Sequence, residues 1–234
     1  MNDVNTLLDD SQKRKESELH VSFEVQGSVI KEKFGVPPEL INNPVNMKAT
    51  DEVVLIGPDN GKCDERDEGF VPNVHNGIFR VHAYLHEHGI NSSMVNSDID
   101  SLDQAYQSIR THHPPFIGFS PYYDTLKRDL RRINETLDLS PNSVIIIGGY
   151  EATLNSQWRG LGGLVDVLIR GEGEIPMLKL AQGYRKFSEL HGKSGSRNNF
   201  DKEGFLNFLR ESDEIKEIPA ISVLEPGKTA KPGN

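Results

Sequence analysis

Short apolar runs alternate with amphipathic stretches through the middle of the chain. Runs of this length, rich in valine and isoleucine, predict β-strands that are buried on both faces. Four such runs cover 53–57, 116–120, 144–149 and 165–169, and the less apolar stretch 93–96 is predicted to be the second of five strands.

The stretches between these strands carry apolar residues at helical spacing. In the first, residues 77–88, we expect Ile78, Val81 and Leu85 to face the sheet. Its histidines are expected to face outward: His82, His86 and His88. The other predicted helices cover 101–111, 123–138, 150–158 and 174–182.

Regular alternation of strands and helices predicts an α/β domain, with a parallel sheet covered on both faces. Right-handed crossovers leave few topologies. Five units of this length fit a flavodoxin-like doubly wound sheet of order 2-1-3-4-5. Ligands of such sheets bind at the carboxyl ends of the strands. The loops that could contact a ligand are therefore 58–77, 120–124, 148–153 and 170–174.

Composition divides the chain into three regions. Residues 1–50 form a polar N-terminal extension, which we expect to be partly disordered. Residues 51–186 hold the α/β domain. Residues 187–234 begin with a linker rich in Gly, Ser, Lys and Asn and continue as a short helix over 200–211. They end as a connector, in which 220–224 could add one more strand.

Charge and cysteine content exclude several functions. The 234 residues carry a net charge of −9, which argues against a surface for nucleic acid or anionic membranes. Cys63 is the only cysteine, so this chain cannot hold an iron–sulfur cluster or an internal disulfide. The sequence predicts no signal peptide and no membrane-spanning stretch, and we expect a cytoplasmic protein.

Two glycine segments lie at the predicted ligand edge. Gly148-Gly149 follows the fourth strand, where glycine permits close approach of a ligand and the next helix favours a phosphate. A tight turn without a ligand explains this pair equally well. Gly171-Glu172-Gly173-Glu174 follows the fifth strand. There Glu174 suits the first turn of a helix, whereas Glu172 could face a ligand or a partner domain.

Ser120 and His75 are the other candidates for chemistry. Ser120 ends the third strand, where its hydroxyl could bond to a ring nitrogen or a phosphate; it could also cap the next helix, as could Asp124. His75 could ligate a metal, although a histidine in a loop is more often a surface residue. The acidic residues of 58–69 show no metal-site spacing and predict a solvated loop.

Taken together, these segments resemble the cobalamin-binding domain found N-terminal to the catalytic module of cobalamin-dependent radical-SAM proteins. The resemblance covers about 52–184 and rests mainly on Gly148-Gly149-Tyr150-Glu151-Ala152-Thr153 and on the run 165–174. It implies a flavodoxin-like fold, with the corrin ring over the carboxyl edge and the nucleotide tail entering the sheet. The cofactor-binding residues that it implies are Ser120, Tyr122, Gly148, Gly149, Tyr150, Glu151, Gly171, Glu172 and Gly173.

The sequence departs from the related families in three places. Asn73-Val74-His75-Asn76 approaches the Asp-x-His-x-x-Gly signature of classical cobalamin domains, but Asn replaces Asp and the glycine comes one residue early. We therefore expect no protein histidine on cobalt. Tyr122 stands where those domains commonly have a smaller apolar residue. The Cys-x-x-x-Cys-x-x-Cys motif of radical-SAM catalysis is missing, so we expect no catalysis by this chain alone.

These observations leave several functional hypotheses. The first is a module that binds cobalamin and holds it for a radical-SAM partner or C-terminal domain, for methyl transfer or related radical chemistry. The alternative is a degenerate domain that acts in docking or regulation, its corrin space filled by Tyr122 and the acidic 58–69 loop. An enzyme that uses a nucleotide or flavin is disfavoured, because no glycine-rich phosphate loop follows the first strand. A phospho-receiver is disfavoured because Ser120 replaces the acceptor aspartate.

Overall fold

The computed structural model describes residues 47–58, 75–96, 100, 102–154, 161–191, 200–218 and 220–225. All of them belong to one unit of the chain, residues 44–234. Most of the predicted N-terminal extension and of the acidic 58–69 loop lies outside the described residues. Within the described residues, no helix combines the length and the apolar character that crossing a membrane requires.

The sheet confirms the predicted strand order and adds one strand. Its order is β2-β1-β3-β4-β5-β6, and the first five strands run parallel. The sixth comes from the C-terminal connector and pairs antiparallel with β5, so the described sheet has six strands rather than five. The strands are β1 Val53–Ile56, β2 Ser92–Val95, β3 Phe116–Phe119, β4 Val144–Ile147, β5 Val167–Ile169 and β6 Ile221–Val223.

Seven helices fall within the described residues. They are α1 Asn76–Glu87, α2 Leu102–His112, α3 Leu126–Leu139, α4 Gly149–Leu154, α5 Glu174–Leu190, α6 Lys202–Glu211 and α7 Asp213–Lys216. The fifth helix continues eight residues beyond its predicted end at 182, so the first residues of the predicted linker are helical. It does so because Phe187 is buried against Phe205 of α6, their ring centroids being 5.6 Å apart.

Both faces of the sheet are buried, as the continuous apolar runs predict. On one face Leu55 and Ile146 pack against α1 and α5. On the other face Val54 and Ile145 pack against α2 and α3. Alternate residues of each strand therefore serve two separate cores, which explains why the strand sequences show no polar alternation.

His82 corrects the predicted outward face of α1. Its side chain is buried, with Nδ1 2.8 Å from the Ser92 hydroxyl of β2. Burial lowers the pKa of His82 from 6.5 to about 4; His86 lowers this pKa further, and Asp51 partly offsets the two. The prediction for His82 is wrong because α1 also packs against β2, which widens its buried face. His86 and His88 are exposed, as predicted.

Candidate functional site

A cavity of about 430 Å³ opens at the carboxyl edge of the sheet. It lies between the sheet and the helices α1 and α5. The volume falls within the range of about 300–1,000 Å³ that is usual for small-molecule sites. Its apolar wall includes Leu55, Ile78, Val81, Ile146, Ile169 and Met177.

Glycine creates much of this space. Six glycines line the cavity: Gly77, Gly118, Gly148, Gly149, Gly171 and Gly173. A Cβ atom on Gly77 would meet no atom within 4 Å, and one on Gly148 would meet only the Ile169 carbonyl at 4.0 Å. Both positions therefore face open space, which a larger side chain would fill.

Gly149 is required by the backbone as well. Its φ of +81° lies in the region that favours glycine. A Cβ atom at this position would lie 2.6 Å from Ser120 Oγ. The hydroxyl of Ser120 and the backbone of Gly149 are thus in close contact at the point where β3 and β4 end.

Thr153 joins the two glycine segments that the sequence singles out. Its Oγ1 donates to the Gly149 carbonyl at 2.8 Å and accepts from the Gly171 backbone N–H at 2.8 Å. The segments after β4 and β5 are therefore connected by one hydroxyl. This contact gives a structural reason for the threonine of the Gly-Gly-x-x-Ala-Thr motif.

Arg80 of α1 lies at the cavity and pairs with two glutamates. Its guanidinium is 3.1 Å from Glu172 Oε2 and 2.7 Å from Glu174 Oε1. Glu174 lies in the first turn of α5, as predicted, and the N-cap position is occupied by Gly173. Because Arg80 is about half exposed, these pairs contribute little to stability.

The structure brings most of the sequence-predicted site residues together. Seven of them line the cavity: Ser120, Gly148, Gly149, Tyr150, Gly171, Glu172 and Gly173. Glu151 and Tyr122 are not among its lining residues. The side chain of Glu151 is buried in α4. The Tyr122 ring packs instead beside His75, with the ring centroids 5.8 Å apart.

His75 is not a surface residue, and Ser120 is not a helix cap. His75 is buried rather than at the surface, because its ring packs where a Cβ atom of Gly57 would be, 2.8 Å from His75 Cδ2. Neither Ser120 nor Asp124 caps α3, since the cap position is Thr125. Ser120 is thus a cavity residue and not a helix cap.

A buried polar network fixes the loop that follows β3. The hydroxyl of Thr125 accepts from the Tyr122 backbone N–H at 2.9 Å and donates to Asp129 at 2.6 Å. Arg132 donates from Nη1 to Asp129 at 3.2 Å and to the Gly57 carbonyl at 3.1 Å. Through α3 this network connects Gly57, which follows β1, with Tyr122 in the loop that follows β3.

Some residues that form this site lie outside the loops that the sequence predicted to contact a ligand. Among them are Arg80, Gly118 and Met177, whereas Gly77 and Thr153 lie inside those loops. Gly118 carried a usable signal, because a glycine inside an apolar strand often marks a close approach to the backbone. Arg80 and Met177 carried none, since an arginine and a methionine on amphipathic helices are ordinary residues.

Comparison with known protein families agrees with this geometry. The family model of the B12 binding domain matches residues 73–181. Of the residues that line the cavity, only Leu55 lies outside this span. The search of curated proteins finds no match for the chain. The cavity and the family match together support a cobalamin-binding domain within residues 73–181, with a corrinoid as its cofactor.

Proposed function

We propose that this chain is a cobalamin-binding module that holds its corrinoid for a radical-SAM partner protein or domain. The observation that carries the proposal is the glycine-lined cavity at the carboxyl edge, inside the B12 binding domain match. A corrinoid consists of a broad macrocycle and a slender nucleotide tail. A cavity of about 430 Å³ suits the tail, while the macrocycle would remain outside at the edge.

Individual residues have distinct roles in this proposal. Gly77 and Gly148 leave the space that the tail would occupy. The Ser120 hydroxyl would bond to a polar atom of the tail, and Thr153 would hold the glycine segments on either side. When bound, the cofactor supplies methyl transfer or related radical chemistry at cobalt, and the protein supplies position and exclusion of water. No protein histidine is proposed on cobalt, and the ring of His75 packs against Gly57.

Exposed apolar side chains support a partner at the same edge. Each of the loops and helices that follow β3, β4 and β5 carries at least one such side chain. They are Tyr123, Tyr150, Leu154 and Ile175, which are 57–83% exposed. Apolar groups clustered on one side of a soluble domain commonly mark an interaction surface. A catalytic domain that covers the macrocycle would bury them.

Cobalamin binding is tested by filling the cavity with a leucine. Gly77 lies in the first turn of α1 with a negative φ, so Gly77→Leu should not strain the backbone and should favour the helix. The new side chain would occupy the space of the tail. The resulting overpacking should raise the Kd for hydroxocobalamin by about tenfold to a hundredfold. Titration followed by visible absorbance measures this change.

The matched control is Gln107→Leu on the exposed face of α2, away from the cavity. This variant should bind hydroxocobalamin as the wild type does. If the wild type neither binds hydroxocobalamin nor changes its visible spectrum, the proposed function is wrong. A docking or regulatory role would then be the better hypothesis.

The partner is tested separately. A radical-SAM protein encoded by a neighbouring reading frame, with its three-cysteine motif, should co-purify with the cobalamin-loaded chain. Tyr123→Ser and Ile175→Ser, which remove exposed apolar side chains from the edge without touching the lining of the cavity, should weaken this complex. Cobalamin binding without any such complex would leave the binding function intact and refute the radical-SAM role.

A further inference from the structure

The inner wall of the cavity consists of apolar side chains on strands whose backbone is hydrogen-bonded within the sheet. Leu55, Ile146 and Met177 line it and are almost completely buried. The backbone of β3 is paired with β1 on one side and with β4 on the other along its whole length. A ligand that enters between the sheet and α5 therefore meets mainly apolar side chains on this wall.

Most polar side chains that line the cavity either have protein partners or face solvent. Thr153 is bonded to both glycine segments, and Arg80 is held by Glu172 and Glu174. Tyr150 is 67% exposed, so its phenol can be hydrated. Among the described residues that line the cavity, Ser120 alone offers a partly buried side-chain hydroxyl that no protein group uses.

From this inventory we infer that the cavity selects corrinoids whose lower base is an apolar benzimidazole over corrinoids whose lower base is a purine. The inference rests on the proposed function, and it adds the class of corrinoid. A benzimidazole joined to its ribose presents a single free ring nitrogen, which the Ser120 hydroxyl can satisfy. The rest of its surface is carbon, which suits the walls formed by Leu55, Ile146 and Met177.

A purine base has nearly the same size and shape, so steric fit does not separate the two classes. Adenine, however, presents several ring nitrogens and an exocyclic amino group. Burying such groups without hydrogen-bond partners weakens binding, on the order of tenfold to a hundredfold in Kd. Selectivity in this cavity therefore comes from unsatisfied polar groups on the disfavoured ligand.

The experiment compares three probes on the full chain: hydroxocobalamin, the corresponding adenine-containing cobamide, and cobinamide, which lacks the nucleotide tail. Calorimetry gives each Kd without any catalytic assay. We expect hydroxocobalamin to bind tightest and the adenine cobamide on the order of tenfold to a hundredfold more weakly. Each alternative outcome refutes a different step. Equal or tighter binding of the adenine cobamide overturns the selectivity and leaves the proposed function intact. Binding of cobinamide as tight as that of hydroxocobalamin overturns the placement of the base in the cavity. If none of the three binds, the proposed function fails, and the selectivity fails with it.

A substitution in the apolar wall of the cavity tests whether this wall causes the selectivity. Met177→Gln keeps the side-chain length and places an amide at the cavity, so it should favour the adenine cobamide and reduce the selectivity to less than about threefold. Met94→Gln in β2 makes the same chemical change on a partly buried strand residue away from the cavity, and it should keep the wild-type ratio. Equal ratios for Met177→Gln, Met94→Gln and the wild type would refute the role of the apolar wall. The comparison of probes on the wild type stands even if a variant fails to fold.

Discussion

The buried histidine of α1 predicts a specific loss of stability in mild acid. His82 is 3% exposed, and burial holds its pKa at about 4 instead of 6.5. In the folded protein at neutral pH the imidazole is therefore neutral and bonded to the Ser92 hydroxyl. The unfolded chain has no such burial, so its imidazole takes up a proton near the ordinary value of 6.5.

The sign and size of the effect follow from this difference. Below pH 6.5 the unfolded state binds more protons than the folded state, so the free energy of unfolding falls as the pH falls, until the folded protein is protonated near pH 4. Each pKa unit between the two states corresponds to about 1.36 kcal/mol, so the full contribution of His82 is up to about 3 kcal/mol. Between about pH 7.5 and about pH 5, His82 should account for a loss of about 2 kcal/mol.

Urea unfolding at a series of pH values measures this loss. His82→Gln keeps a hydrogen-bonding group beside Ser92 and removes the titration, so its stability should fall less steeply in this pH range. His88→Gln makes the same chemical change at the exposed end of the same helix, and it is the control that should keep the pH dependence of the wild type. The reasoning is refuted if His82→Gln and the wild type lose the same free energy between about pH 7.5 and about pH 5.

Two further predictions concern hydrogen bonds made by one side chain. Thr153→Val removes the hydroxyl that joins the glycine segments, and we expect this variant to bind hydroxocobalamin several-fold more weakly. Thr153→Ser keeps the hydroxyl and should bind as the wild type does, so equal affinities for the Val and Ser variants would contradict this role. Asp201 caps α6 by accepting from the Gly204 N–H at 2.9 Å, so Asp201→Ala should lower the free energy of unfolding in urea by about 1 kcal/mol. Glu203→Ala in the same turn is the control, and an equal loss there would argue against capping as the cause.

The strands and their order could be predicted because the information is local. Four of the five parallel strands are apolar runs that are buried whole, and the alternation with helices leaves few topologies. The C-terminal strand was harder, since Ile221–Val223 is short and only partly buried. It becomes a strand because the edge of β5 is available to pair with it.

The face of a helix was predictable only where a single neighbour covers it. Ile78, Val81 and Leu85 are buried as their spacing indicates. His82 shares the same helix and is buried because β2 lies beside α1, a fact that no window of sequence around His82 contains. The length of α5 has the same explanation, since its last turns depend on packing against Phe205.

For the site, the sequence by itself determined the edge of the sheet and the two glycine segments, because a glycine after a strand changes the local backbone whatever surrounds it. Only the tertiary structure decided that these segments border one cavity, that Thr153 joins them and that Met177 and Leu55 complete the wall. The reason is physical: an open volume depends on side chains that are missing at once from several distant segments. The six glycines of the lining come from separate strands, strand ends and helix starts, and they border one volume only when the fold brings them together.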